Sequence, residues 1–146
     1  MEDIINDLNG FLSDLNVFYR KLQNYHWNVY GKDFFVLHSK LEEYYDKVNE
    51  QIDEVAEHIL MLGKQPLGTM QDYLNNTCIT EAKNEKIKIC DVFENVIKDL
   101  ETLLKKVTDI KKNADEQNLY ATSALMDAYI SEYMKYLWML NQSKEN

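Results

Sequence analysis

The sequence predicts an all-α fold: a four-helix bundle whose two hairpins are joined by a long crossover carrying a short helix between helices two and three. Three observations predict it. One proline and four glycines in 146 residues leave long stretches free of helix breakers. Apolar residues recur near the 3.6-residue period in four segments. The links between those segments are unequal, about three residues for the first and about twenty for the second. The length suits one domain over residues 1–146.

The first helix is expected from about Glu2 to Tyr30, with Leu8, Phe11, Leu12, Leu15, Leu22 and Val29 facing the core. Gly31 is placed to end it and Asp33 to N-cap the next. The second covers Phe34 to Leu62 with its apolar and aromatic positions at Leu37, Leu41, Tyr45, Val48, Ile52, Val55, Ile59 and Leu62; "GKQPLG" from Gly63 stops it. Between Leu67 and Lys83 the pattern is mixed, with one short helix at "TMQDYLNN". The third long helix begins near Asn84 and includes Ile87, Val92, Phe93, Val96, Leu100, Leu103, Leu104, Val107 and Ile110, with a break at Asn113 or Asp115. The fourth occupies Glu116 to Gln142. A three-residue link forces helices one and two into an antiparallel hairpin. A link of about twenty residues can cross the whole bundle, which a simple up-and-down arrangement would not need.

Composition narrows the function classes. Hydrophobic residues make up 45% and charged residues 28%, an ordinary balance for a soluble globular protein. The formal charge of −9 disfavours nucleic acid, whose affinity comes largely from Lys and Arg displacing counterions. "MEDIINDLNG" at the start has no signal-peptide character, and no segment approaches the ~18 apolar residues of a membrane span. Cys78 and Cys90 form no CxxC motif, so reduced thiols in a cytoplasmic protein are expected.

The stretch "NYHWNVYGKDFFVLHSK" carries the sharpest signal. His26 and His38 flank the turn near Lys32 almost symmetrically, so an antiparallel hairpin sets them face to face. Taken singly, each histidine reads first as structural or solvent-facing. Asp53 and Glu57, at i and i+4 in "VNEQIDEVAEHIL", share one face beside Ile52, Ala56 and Ile59, where a charge is costly unless paired or metal-bound. Such acidic pairs are also common on solvated helix faces.

His38 cannot share an ion with Asp53 in one chain. Fifteen helical positions separate them by about 22 Å, whereas metal–ligand bonds are about 2 Å long. A second copy resolves this. If helix two packs antiparallel on its symmetry mate about an axis near Asp46 and Lys47, His38 of one chain meets Asp53 and Glu57 of the other. Asp53 lies about 60° and Glu57 about 100° round the helix from His38, so all three keep to one broad face. An isologous dimer then holds two sites, each of two imidazoles and two carboxylates.

With "HWNVYG", "FFVLH", "DEVAEHILMLG", "PLGTMQDYL" and "KYLWML", the chain resembles the Dps-like mini-ferritins of the ferritin superfamily over nearly its whole length. The resemblance implies a ferritin-like four-helix bundle and a ferroxidase site at a subunit two-fold. His26 and His38 then match the ligands from one subunit, Asp53 and Glu57 those from its neighbour. Glu42 falls where members carry an auxiliary acid, and Trp27 at the aromatic position beside the first histidine. It further implies a hollow homo-oligomer, a dodecamer, in which iron enters as Fe(II), is oxidised preferably by hydrogen peroxide and is stored as ferric mineral.

Three departures from the family pattern shape the expectations. Neither end has the lysine-rich tail through which many members bind DNA, so direct DNA binding is not expected. Tyr120 and Ala124 stand where members place pore acids, leaving Asp115, Glu116 and Asp127 as candidates for admitting iron. His58 stands where many members have Arg; a surface or packing role is expected rather than ligation. Among rivals, a di-iron oxygenase would need Glu-x-x-His, but the residues three positions before His26, His38 and His58 are Gln23, Phe35 and Val55. A metal-free acidic helical interaction protein makes the four-residue spacing accidental. A Dps that protects DNA without a basic tail is the third alternative.

Overall fold

The computed structural model describes residues 1–144. It has the expected architecture: two antiparallel helical hairpins, α1 with α2 and α4 with α5, joined by a crossover containing α3.

Helix α1 spans Glu2–Asn28, with Glu2 and Asp3 in its first turn, where carboxylates suit the helix dipole. It stops two residues short of the expected Tyr30, because Val29–Tyr30 form a strand, β1, pairing in parallel with β2, Ile87–Lys88. Both strands consist largely of residues that favour extended backbone. Gly31, at φ +144, makes the turn into α2, and a Cβ there would come within 2.6 Å of Ile89 Cδ1. Asp33 holds the N-cap position of α2, but its side chain makes no capping bond.

Helix α2, Phe34–Met61, is unbroken over 28 residues, about 42 Å. It closes in a Schellman motif: Gly63 (φ +81) donates to the Leu60 carbonyl and Lys64 to that of Ile59. The crossover then runs along α1. Leu67 N donates to Asn9 Oδ1 at 2.9 Å, and Asn24 Nδ2 donates to the Lys83 carbonyl at 3.3 Å. The fully buried Asp14 accepts from Thr77 Oγ1 (2.7 Å) and Cys78 N (2.8 Å). Within it, α3 (Met70–Asn76) is capped by Thr69, whose Oγ1 accepts from Asp72 N.

Helix α4 spans Ile89–Glu116, beginning five residues later than Asn84 because Ile87–Lys88 are spent on β2. The stop lies at Gln117 rather than Asn113 or Asp115: Asn118 takes the left-handed conformation (φ 59), and Leu119 N donates to the Ala114 carbonyl. Helix α5 is Tyr120–Ser143.

Side chains from all four long helices fill the core, including Phe11, Phe18, Leu41, Ile59, Leu100, Leu103, Met126 and Tyr133. Truncating one such leucine to alanine costs about 2–5 kcal/mol. Lys21 and Asp99 tie α1 to α4 as a buried ion pair at 2.8 Å. Among the described residues no helix is long and apolar enough to cross a membrane. Cys78 and Cys90 are free and exposed.

Candidate metal centre

Because α1 ends and α2 begins within six residues of each other, the last turn of α1 and the first turns of α2 lie side by side. His26 and His38 meet there. Their rings stack with centroids 3.7 Å apart and planes 10° from parallel. Each ring bonds the other residue's backbone: His26 Nδ1 donates to the His38 carbonyl at 2.6 Å, and His38 Nδ1 to the His26 carbonyl at 2.8 Å.

A carbonyl oxygen only accepts, so each of these bonds requires a proton on Nδ1; in the neutral form of the ring this leaves the lone pair on Nε2. Metal-ligating histidines are commonly oriented in this way, through a backbone carbonyl on the other nitrogen. Aromatic neighbours hold the rings in place. Phe34 stacks on His38 at 4.9 Å, and Tyr45 meets His26 edge-on at 5.5 Å, backed by Tyr19.

Glu42, one turn beyond His38, brings Oε1 to 3.7 Å from His26 Nε2, the nitrogen left free by the carbonyl bond. His26 is buried, His38 half-buried and Glu42 exposed. Two imidazole lone pairs beside a carboxylate are a donor set suited to a divalent first-row cation, with further coordination positions unfilled by this chain.

Asp53 and Glu57 are not brought to these histidines. They sit near the other end of the unbroken α2, both exposed, beside half-buried Ile52 and Ala56. The cost expected for a carboxylate on that face is therefore not incurred in the single chain. No group of three or more His, Cys, Asp or Glu gathers as a metal cluster within the chain among the described residues.

His58, next to Glu57, points inward. It is buried, with Nε2 2.8 Å from Thr122 Oγ1 of α5, and burial lowers its pKa. Packing is its role rather than surface exposure. Trp27 is 59% exposed. Of the acids considered for admitting iron, Asp127 and Asp115 lie 3.1 and 3.7 Å from Lys111 Nζ, which offsets part of their negative charge.

Sequence reasoning did not anticipate the reciprocal carbonyl bonds or the roles of Phe34 and Tyr45. It also missed a polar network inside the α2–α5 contact: Tyr133 donates to Gln51, Gln51 to Glu132, and Tyr129 to Glu54. Polar residues at helical spacing on α2 were its only trace.

The family model of the ferritin-like domain matches residues 5–145. DNA protection during starvation protein 2 of Bacillus anthracis is 38% identical over 142 residues, 95% of this chain and 94% of that protein. The crystal structure of antigen TpF1 from Treponema pallidum superposes with a TM-score of 0.97 at 33% identity, covering 99% of this chain and 93% of that one. Dps from Vibrio cholerae O1, described as a member of a broad superfamily of ferritin-like diiron-carboxylate proteins, gives 0.93 at 38% identity, covering 97% and 88%. The chain belongs to the ferritin-like family, among its Dps proteins.

Proposed function

We propose that this protein is a cytoplasmic iron-storage and detoxification protein, a single ferritin-like domain acting as a ferroxidase at sites shared between subunits. Fe(II) is the substrate. His26 and His38 of one subunit bind it together with Asp53 and Glu57 of the neighbour, and Glu42 serves as an auxiliary ligand. Hydrogen peroxide is the preferred oxidant: two Fe(II) ions give one electron each, peroxide takes both, and no hydroxyl radical is released. The ferric product is stored as mineral inside a hollow dodecamer.

The observation that carries this reading is the oriented histidine pair with Glu42 at 3.7 Å, a half-site on a helix too straight to bring its own Asp53 back. The surface of α2 supports the shared arrangement. Phe35 and Leu60, 83% and 55% exposed, fall within the same helical stripe of about 100° as His38, Asp53 and Glu57. Large apolar side chains bracketing a polar stripe suit burial against a second copy. Relatives carry the name DNA protection during starvation protein; with a formal charge of −9, protection here is assigned to consumption of iron and peroxide rather than to contact with DNA.

The test is an anaerobic Fe(II) titration of the assembled protein, followed by peroxide, with oxidation read from ferric absorbance and mass from size exclusion. Saturable Fe(II) binding, faster oxidation with peroxide than with dioxygen and a mass of several subunits are expected. A monomeric mass without iron uptake would favour a metal-free interaction protein instead.

A further inference from the structure

On the side of the bundle away from the crossover, a chain of polar groups joins α2 to α5. Tyr133 Oη donates to Gln51 Oε1 at 2.7 Å, and Gln51 Nε2 donates to Glu132 Oε2 at 3.0 Å. Tyr136 Oη donates to the other oxygen, Glu132 Oε1, at 2.5 Å. The Tyr44 ring of α2 lies 4.6 Å from that of Tyr136. None of these side chains belongs to the proposed ligand set.

Packing alone does not account for the arrangement. Tyr136→Phe would keep the ring against Tyr44; the hydroxyl adds a bond at the short limit for a phenol on a carboxylate. Both Glu132 oxygens are met by neutral donors, an amide and a phenol, so its charge acts on that one phenolic proton.

One-electron chemistry of tyrosine requires such a bond. The cation radical of a phenol is a strong acid, so the electron leaves readily only when the proton leaves with it, to a base within hydrogen-bond reach. Burial, then the bond to Glu132 and its charge, hold the Tyr136 phenol well above its ordinary value. It therefore keeps its proton until an oxidant draws the electron. The neighbouring phenols are less suited. Tyr133 is buried and meets an amide oxygen, which is no base. Tyr129 reaches Glu54 over a longer bond, 3.1 Å.

Enclosure matters as well. Tyr136 and Glu132 are both half-buried. That leaves the pair close enough to the surface for an electron to be drawn from it, while two such radicals on different molecules are kept from coupling ring to ring.

We propose that Tyr136 and Glu132 form a proton-coupled electron donor that removes oxidising equivalents from the protein. Their source rests on the function proposed above: a lone Fe(II) meeting peroxide away from a paired site gives one electron and releases hydroxide and a hydroxyl radical. That radical takes an electron from a nearby side chain and becomes a second hydroxide. An electron from Tyr136 fills the hole, and the phenolic proton passes to Glu132, leaving a neutral tyrosyl radical and a carboxylic acid. Hydroxide takes the proton from Glu132 and becomes water. A further Fe(II) restores the phenol by giving an electron, with water giving the proton.

Flash oxidation of the iron-free, assembled protein by photogenerated tris(bipyridyl)ruthenium(III) tests the pair without iron, with freeze-quench electron paramagnetic resonance reading the tyrosyl radical. Tyr136→Phe should remove most of the long-lived signal, and Tyr133→Phe should leave it. Glu132→Gln keeps an acceptor but no base, and should slow radical formation at least about tenfold. Circular dichroism and size exclusion check that each variant folds and assembles; Tyr136→Phe keeps the ring and loses only a half-buried hydroxyl. A signal undiminished in Tyr136→Phe, an equal loss in Tyr133→Phe, or an unchanged rate in Glu132→Gln would each overturn the proposal. His38→Ala should give the parent's signal, so a failure of the ferroxidase reading leaves this result standing. Protection is read separately, by intact mass after Fe(II) in excess over peroxide. Tyr136→Phe should carry more oxygen adducts than the parent; equal adducts would overturn the protective role.

Discussion

At the scale of single residues, the deciding atoms are two carbonyl oxygens. The bonds from His26 and His38 Nδ1 to each other's backbone, at 2.6 and 2.8 Å, fix both tautomers before any ion arrives. A ligand held in its binding tautomer and rotamer loses little entropy on coordination. Under the proposed function, His38→Ala removes one Nε2 donor and also frees the His26 carbonyl and the face of Phe34. Peroxide-dependent Fe(II) oxidation should fall at least about tenfold to a hundredfold, judged against the cost of disturbing even the outer partners of metal ligands. Stopped-flow absorbance measures the rate, and size exclusion should show an unchanged assembly. The pairing of the histidines was legible in their even placement about the turn. The carbonyl partners were not, because main-chain acceptors leave no mark in a sequence.

At the scale of elements, α2 was readable almost to the residue, since no breaker lies inside it and Gly63 supplies the left-handed stop. The strands were invisible. Two residues carry no periodicity, and Val29–Tyr30 owe their extended state to Ile87–Lys88 arriving from the far side of the crossover. The same pairing moved both the end of α1 and the start of α4. Gly31 is where the arrangement is tightest. Gly31→Ala puts a Cβ 2.6 Å from Ile89 Cδ1 at φ +144, and should cost on the order of 1–3 kcal/mol in urea unfolding. Adding Ile89→Ala should recover the steric part but leave the backbone part, so the double variant falls short of the sum.

The crossover's attachment was also hidden, because Asp14 looks like any helix-surface acid until Thr77 and Cys78 close over it. Its charge is felt by the Cys78 thiol, whose pKa lies above the ordinary range through burial first and then the Asp14 carboxylate. A raised thiol pKa means less thiolate at a given pH. Asp14→Asn should therefore lower the midpoint of the pH–alkylation profile of Cys78 and speed its labelling near neutrality. Labelling must be followed site by site, by mass spectrometry, to separate Cys78 from Cys90.

At the scale of the whole molecule, the unbroken 28-residue α2 makes a prediction that no single-chain site would share. His38→Ala keeps its acids and Asp53→Ala keeps its histidines, so each should be nearly inactive alone. When subunits are dissociated and reassembled at equal ratio, random pairing makes about half of the two-fold dimers mixed. In a mixed dimer one site takes both of its defects and the other takes neither. About a quarter of all sites should then be intact, and the peroxide-dependent rate should rise to about a quarter of the parent's. Were the histidines and acids to act within one chain, mixing would give only the mean of the two crippled rates. Exchange itself is checked by the mass of mixed assemblies carrying one tagged subunit type; activity that stays at the mean despite proven mixing would dismantle the shared site while leaving the fold untouched.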